Sequence, residues 1–594
     1  MKKSGFSKLL RRLLVYKPWI FIISLLCNIL IFSQAAAVAY FVREILNTVE
    51  VGVCSGSSTL MGVELLLVGI LGVSLVRIGA IMVCAVMDNL QKFYYENLLR
   101  NNIMKIIYKK DNIKNITGKS EKAFEVVDDD VPACAFPVEL LSEVMGFVVY
   151  SLIAMASLLI INWRVTIYIF IPLSIAILII SIASKKIKGN RKLNREIQEK
   201  VSETISDIAN VVQTIKISGE QESVLKHYEK LNRKRLHVVL KDKLFESSLQ
   251  AVTGSTVYVG TAIMLFVVAK SMMQGEFPIG DFSMFVYYLG TLVSCVDRIT
   301  ELVSETKQAE VSYDRIIELV GKENESELTE DYDLKVFGDM AKFQYEPMER
   351  MPMKQFDVRN LTYCHDDRNG IYDISFTLKP GEVVVVAGGI GSGKSTLLNV
   401  LMGVLPKDSG QIFWNNTDIQ HQKKFFVPPN VAYTPQITKM FSNTIRENLL
   451  LGRPASEMEI IKVLYNAVFE GDVDEMENGL DTEAGSCGNR LSGGQKQRFA
   501  LARMFIHDAE LYLMDDSSSA IDVETEKEFW NRFEDNIARK QFACIIASNK
   551  KHVLDRADKV MVLKNGHVID YGKADELSIR CEEFARIYMG KDFE

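Results

Sequence analysis

The chain has 594 residues, 48 % of them hydrophobic and 24 % charged, with a formal net charge of −6. That length calls for several packing units, and the composition excludes a disordered chain, a collagen-like chain and a nucleic-acid binder driven by basic charge. The average hides a division: residues 1–320 hold 36 Lys and Arg against 30 Asp and Glu, a net of +6, whereas residues 321–594 hold 33 against 45, a net of −12.

Six long apolar stretches fill the first half, at about 18–42, 60–87, 137–162, 163–185, 246–271 and 281–304. Each is near the roughly 20 residues that cross a bilayer as helix. The first follows Lys2, Lys3, Lys8, Arg11 and Arg12 and contains Ala35–Ala37, a signal-peptide-like arrangement. Its apolar run continues to Val42, beyond the length of a signal segment, so a retained helix is expected. Only a short turn around Asn162–Arg164 separates the third and fourth stretches, which predicts an antiparallel hairpin.

Connection 43–59 carries Arg43 as its basic residue, whereas 88–136 and 185–245 are long and rich in Lys and Arg. The positive-inside bias puts the N-terminus, both long loops and, after six crossings, the C-terminus in the cytoplasm. In 185–245, Ile187, Ile197, Val201, Ile205, Ile208, Val212 and Ile215 recur at helical spacing among charges. The pattern predicts membrane helices that continue into the cytoplasm, with a break at Gly219. Arg77 lies inside the second stretch, and Glu139 and Glu143 lie near the start of the third. An intramembrane charge is a functional candidate; Arg77 either faces a cavity for an anionic or peptide substrate or pairs with a carboxylate. Nine cysteines, Cys27, Cys54, Cys84, Cys134, Cys295, Cys364, Cys487, Cys544 and Cys581, form no CxxC pair. They indicate neither a zinc site nor a disulfide framework and read as small buried residues. Residues 321–354, acidic and with Pro347 and Pro352, read as a linker.

In the second half, residues 383–396 read VVVVAGGIGSGKST, a β-branched run, a glycine-rich turn and a helix start. Gly388, Gly393, Lys394 and Ser395 fit GxxxxGK[ST], within a loop that includes Gly389, Gly391, Ser392 and Thr396. Backbone N–H groups of such a loop and the following helix N-terminus cradle phosphate oxygens. Lys394 would neutralise phosphate charge and Ser395 would ligate Mg²⁺. An apolar strand at Leu511–Met514 ends in Asp515 and Asp516, an arrangement that holds Mg²⁺.

These segments, with Gln436 in YTPQ, Leu491–Gln495 (LSGGQ) and Ser519–Asp522 (SAID), match an ATP-binding cassette in order and spacing. The chain resembles an ABC exporter half-transporter. The resemblance implies an all-α six-helix transmembrane domain at 1–320, the linker at 321–354 and an α/β P-loop cassette at 355–594. It implies ATP and Mg²⁺ as cofactors, a second half-transporter as partner, a bilayer, and a substrate leaving the cell. Ser395, Gln436 and Asp515 then bind Mg²⁺, and Gln436 senses the γ-phosphate. Leu491, Ser492, Gly493, Gly494 and Gln495 serve the nucleotide held on the partner, and Ser519–Asp522 resemble the segment that crosses between the two cassettes, with Asp522 counted among the nucleotide-site residues. The regions near 105–120 and 210–222 resemble the helices that couple membrane and cassette.

Three positions depart from the pattern. Asp516 stands where the family has a Glu as general base, one methylene shorter and about 1 Å from the productive position. Asn549 stands where a His is usual, and it cannot carry a positive charge or relay a proton. His365 occupies the adenine-stacking position, with Tyr363 as the fallback. With the signature intact, these departures imply a slow site of the chain's own and a competent one completed on a different partner chain. A homodimeric slow exporter and an ATP-gated regulatory protein are the alternatives. No cysteine-protease segment precedes the first helix, so leader cleavage is not expected of the chain. A cell-membrane location follows from the same resemblance.

Overall fold

A computed structural model describes residues 5–55, 60–109, 126–273, 277–331, 348–366, 369–540 and 542–590. Two compact units divide the chain, the first made mainly of residues 1–334 and the second mainly of residues 335–594.

The first unit is helical: α1 (Gly5–Tyr16), α2 (Pro18–Ser55), α3 (Leu60–Lys109), α4 (Val131–Asn210), α5 (Val212–Ser218), α6 (Gln221–Met273) and α7 (Ile279–Val320). The six apolar stretches fall on α2, α3, α4, α6 and α7, with α4 carrying two of them. Segments Pro18–Val51, Gly62–Lys109 and Val126–Ile167 are each long and apolar enough to cross a membrane. Of the fourth stretch, the side chains from residue 168 onward lie outside the described residues. With 50 residues, α3 runs about 75 Å, more than twice a hydrocarbon core of roughly 30 Å.

The hairpin turn is legible in its bonds. Asn162 leaves the helical region of α4 (φ −157°, ψ 99°). Its Oδ1 accepts the N–H groups of Arg164 and Val165 at 3.1 and 3.2 Å, which starts the next helical arm as an N-cap does. Thr166 Oγ1 donates to the Leu158 carbonyl at 3.0 Å. On one straight helix those residues would lie about 12 Å apart, so the chain folds back here.

Helix α1 is not among the elements expected from the sequence, where only the basic residues ahead of the first apolar stretch stand out. Phe6, Leu9 and Leu13 recur at helical spacing and are buried among Tyr95, Leu98, Leu99, Ile103 and Ile106 of α3 and Tyr313 and Ile316 of α7. Burial of each such side chain contributes roughly 2 kcal/mol, enough to favour a docked helix over a free basic arm. The start of the expected linker joins this core. Residues Lys322–Asn324 and Glu327–Thr329 form 3₁₀ turns, Leu328 is buried, and Arg12 Nη1 donates to the Ser326 carbonyl and Thr329 Oγ1 at 3.2 and 2.8 Å. Residues 332–347 lie outside the described residues.

In the long loop, α5 is bounded by Val211 (φ −115°, ψ 18°) and by left-handed Gly219 (φ 75°), where a break was expected. The α5 residues include exposed Val212 and Ile217. The other expected coupling region, 105–120, lies outside the described residues from 110 onward.

Among the described residues the second unit has ten strands: β1 (Phe356–Asp366), β2 (Asn369–Leu378), β3 (Val383–Gly388), β4 (Ser409–Trp414), β5 (Thr417–Asp418), β6 (Val431–Thr434), β7 (Leu511–Asp515), β8 (Ala543–Ala547), β9 (Lys559–Lys564) and β10 (His567–Gly572). They form an antiparallel sheet ordered β2-β1-β4-β5 and a six-stranded sheet ordered β10-β9-β3-β8-β7-β6. Neighbours from β9 to β6 are parallel, which explains why β3, β7 and β8 are continuous buried runs rather than alternating ones. One face of β3 (Val383, Val385) packs with α9 (Gly493–Phe505) and α10 (Val523–Lys540). The other (Val384, Val386) packs with α8 (Lys394–Leu401) and the antiparallel sheet.

Cys27, Cys84, Cys134, Cys295, Cys544 and Cys581 are buried, but Cys364 and Cys487 are exposed. This corrects the expectation of uniformly buried cysteines. Cys364 follows buried Tyr363 on β1 and therefore faces outward, and Cys487 sits in a left-handed turn (φ 50°).

Candidate nucleotide site and signature helix

Three parallel strands deliver their ends to one edge of the sheet, where open α/β sheets carry ligands. From β3 the chain enters a loop in which Gly391 (φ 78°) and Gly393 (φ 106°) are left-handed. Gly388 is required for space as well: a Cβ there would stand 2.4 Å from the Leu563 carbonyl and 2.5 Å from Ser392 Oγ. Lys394 begins α8, and its Nζ donates to the carbonyls of Gly388 and Gly389 at 2.6 and 3.1 Å. Burial holds the Lys394 ammonium below its ordinary pKa, against the pull of Asp515 and Asp516. Thr396 is half-buried on the first turn of α8.

Ser395 Oγ donates to Asp515 Oδ1 at 2.9 Å. Asp515 is buried at the end of β7, and that burial, with Asp516 beside it, raises its carboxyl pKa; Ser395, Lys394 and the Tyr433 hydroxyl oppose the rise. Tyr433 opens the YTPQ segment that carries Gln436, but the sequence pattern gives it no role of its own. Gln436 is exposed and points Nε2 at Asp516 Oδ2 across 3.5 Å. Asp516 itself is left-handed (φ 44°), with its N–H on the Ala547 carbonyl at 3.0 Å. Burial raises its carboxyl pKa too, against Gln436, Lys550 and Lys394.

Asn549 uses both ends of its amide on Gly388. Oδ1 accepts the Gly388 N–H at 3.0 Å, and Nδ2 donates to the Gly388 carbonyl at 2.9 Å. The residues fit a nucleotide with a hard divalent cation. Ser392 Oγ is buried without a partner among the described residues, backbone N–H groups lead into a helix N-terminus, and Ser395, Asp515 and Gln436 offer oxygen ligands.

The signature segment is a helix start. Ser492 Oγ accepts the Gln495 N–H at 3.2 Å while Gln495 Oε1 accepts the Ser492 N–H at 2.9 Å, a reciprocal cap on α9. Leu491 is buried beneath it. A Cβ on Gly494 would stand 3.0 Å from the Ala520 carbonyl, and Gly493 faces the Ala520 side chain. Gln497, which the motif reading passed over, joins the two loops: Oε1 accepts the Ala520 N–H at 2.7 Å and Nε2 donates to Ser519 Oγ at 2.9 Å. Asp522 accepts the Thr525 N–H at 3.0 Å, which lowers its pKa. Among the described residues, no hydrogen bond or ion pair joins Leu491–Gln495 to the loop at 388–396.

His365 is exposed on β1, whereas Tyr363 is buried 5.9 Å away, ring centroid to centroid. Of the two candidate stacking rings, only His365 presents itself outward. In the first unit, Arg77 is exposed on α3 without a carboxylate partner among the described residues. Glu143 instead pairs with Arg298 at 3.2 Å, and Arg298 also binds Glu301 at 2.9 Å.

Residues 371–519 match the ABC transporter family model, and residues 139–296 match the ABC transporter transmembrane region. The chain belongs to the ABC transporter family and joins its transmembrane region and its ATP-binding domain. It is 30 % identical over 393 residues to a beta-(1→2)glucan export ATP-binding/permease protein of Agrobacterium fabrum, a match covering 65 % of this chain and 63 % of that protein. It is 27 % identical over 448 residues to an ATP-dependent lipid A-core flippase of Pseudomonas fluorescens, covering 74 % and 70 %. The match with the glucan exporter thus spans less than two thirds of that relative's length. The structure of a bacterial Atm1-family ABC exporter with ATP bound superposes with a TM-score of 0.71 at 17 % identity, over 98 % of this chain and 99 % of that one. That likeness concerns the fold.

Proposed function

We propose that the chain is one half of an ATP-driven exporter of a peptide, lipid or amphiphilic small molecule, and that it is the slowly hydrolysing half of a heterodimer. The observation that carries this reading is the contrast between a fully bonded signature helix at Ser492 and Asp516, whose carboxylate meets Gln436 Nε2 across a long 3.5 Å. On this reading the loop at 388–396, with the α8 N-terminus, holds the phosphates of ATP. Ser395, Asp515 and Gln436 hold Mg²⁺, which draws charge from the phosphates. Asp516 orients water from one methylene too far back. His365 stacks on the base. Leu491–Gln495 and Asp522 press on the nucleotide of the second half, whose site turns over. Closure and reopening of the two cassettes then switch the membrane helices between inward- and outward-facing arrangements. The charge distribution of the loops supports a cytoplasmic N-terminus and cassette.

Affinity capture of the full chain from its own membrane, followed by reconstitution, tests the pairing. A second, different half-transporter should co-purify, and the pair should hydrolyse ATP at least tenfold faster than this chain alone. Capture of only a second copy, with equal turnover, would favour the homodimer. Turnover without vectorial movement of any substrate would favour a gating protein.

A further inference from the structure

Two neighbouring side chains after β8 reach opposite parts of the site. Asn549 reaches the phosphate loop through its paired bonds to the Gly388 N–H and carbonyl, at 3.0 and 2.9 Å. Because Lys394 Nζ uses the same carbonyl at 2.6 Å, both lone pairs of that oxygen are engaged. Lys550 reaches the loop after β7. Its Nζ donates to the Ser518 carbonyl at 2.8 Å and to both carboxylate oxygens of Glu526 at 2.9 Å. Glu526 is 4 % exposed. Burial opposes its ionisation, yet the bonds from Ser518 and Lys550 hold its carboxyl below the ordinary value. The backbone between β8 and these residues adds two more ties, Ser548 N–H to Val386 and Asp516 N–H to Ala547, at 3.1 and 3.0 Å.

The substitution at 549 is therefore more than a missing imidazole. A neutral amide carries a donor and an acceptor on adjacent atoms, which match the N–H and C=O of a single residue. The two nitrogens of an imidazole flank Cε1 and point their N–H and lone pair in widely divergent directions, so one ring cannot meet both groups of Gly388. The bonds that Asn549 makes fix the peptide at which β3 becomes the phosphate loop, next to glycines that would otherwise allow it to turn.

We propose that Asn549 and Lys550 form a brace that holds the phosphate loop in a nucleotide-retaining shape and ties it to the Ser517–Ala520 loop. The inference rests on the reading of 388–396 as an ATP site and adds that this site is built for slow release. Both are positioning residues: they act through Gly388 and Ser518.

The test uses the full chain in lipid nanodiscs, Mg²⁺ and a fluorescent trinitrophenyl derivative of ATP, chased with ATP in a stopped-flow instrument. Asn549→Ala and the near-isosteric Asn549→Asp should each release the probe at least tenfold faster, with the association rate within twofold of wild type. Lys550→Met should quicken release about threefold. The double variant should fall short of the product of the two, as coupled sites do. Thermal unfolding of each variant separates a loosened loop from a loosened fold. Wild-type release rates in Asn549→Ala and Asn549→Asp would overturn the brace while leaving the ATP site standing. Faster release accompanied by an equal loss of association rate and of thermal stability would overturn it as well. Failure of the wild-type chain to bind the probe would instead overturn the proposed function itself.

Discussion

The phosphate-loop end and the signature end of the cassette are held together by different kinds of bond. At the first, charges sit close together in partial burial: Lys394 against loop carbonyls, Asp515 under Ser395, and Asp516 in a left-handed conformation 3.5 Å from Gln436. At the second, the Ser492–Gln495 cap and the Gln497 links to Ser519 and Ala520 set the geometry, and the charge beside them is matched, Arg498 binding Asp472 at 2.7 Å. Charge is expensive to bury and easy to mistune, so a one-methylene change at Asp516 would alter chemistry while leaving the fold alone. Side chain–backbone bonds are geometric, so the signature end stays competent as long as its shape does. On the proposed function, the comparison shows how one chain could be poor at its own site and sound at the site it would complete for another.

The largest effect should come from the signature end. Ser492→Arg should lower ATP turnover and transport of the reconstituted pair by more than 100-fold, whereas Asp516→Asn should leave both within about threefold. The reverse ranking would break the comparison. Next in size, Asp516→Glu combined with Asn549→His should raise hydrolysis at the chain's own site by roughly 10- to 100-fold, read as turnover with the partner's own Walker site disabled. No gain would mean that something other than these two side chains limits the site. Gln497→Ala should act more mildly. It leaves the Ala520 N–H without this acceptor, at a cost of about 1 kcal/mol, and should slow turnover of the pair several-fold through the displaced loop.

How much of this was legible differs between the two units. Glycine spacing and a β-branched run announce the loop between β3 and α8, because phosphate-type loops are defined by local backbone needs at Gly391 and Gly393. Hydrophobic length announces the membrane helices, and Asn162 announces the hairpin, for equally local reasons. What stayed hidden depends on distant partners. The burial of α1 is decided by α3 and α7, and that of Leu328 by the same core. Lys550 looked like any surface lysine until β8 carried it to Ser518 and Glu526. Asn549 was read as a loss relative to a family pattern, while its bonds to Gly388 needed the parallel pairing of β3 with β8.

The smallest effect separates shape from chemistry at one residue. Ser492 Oγ accepts the Gln495 N–H at 3.2 Å, and removing an N-cap of this kind costs about 1 kcal/mol. Ser492→Ala should therefore lower the cassette melting transition by about 2–4 °C, measured by calorimetry on the full chain in nanodiscs. Aspartate caps helices as well as serine and suits the positive end of the α9 dipole, so Ser492→Asp should melt at or above wild type. The same carboxylate would face the phosphate that the proposed function brings to this end, so the pair should lose turnover despite its stability. If Ser492→Asp kept both stability and turnover, Ser492 would be a cap alone, and the signature end would meet its partner's nucleotide through other groups.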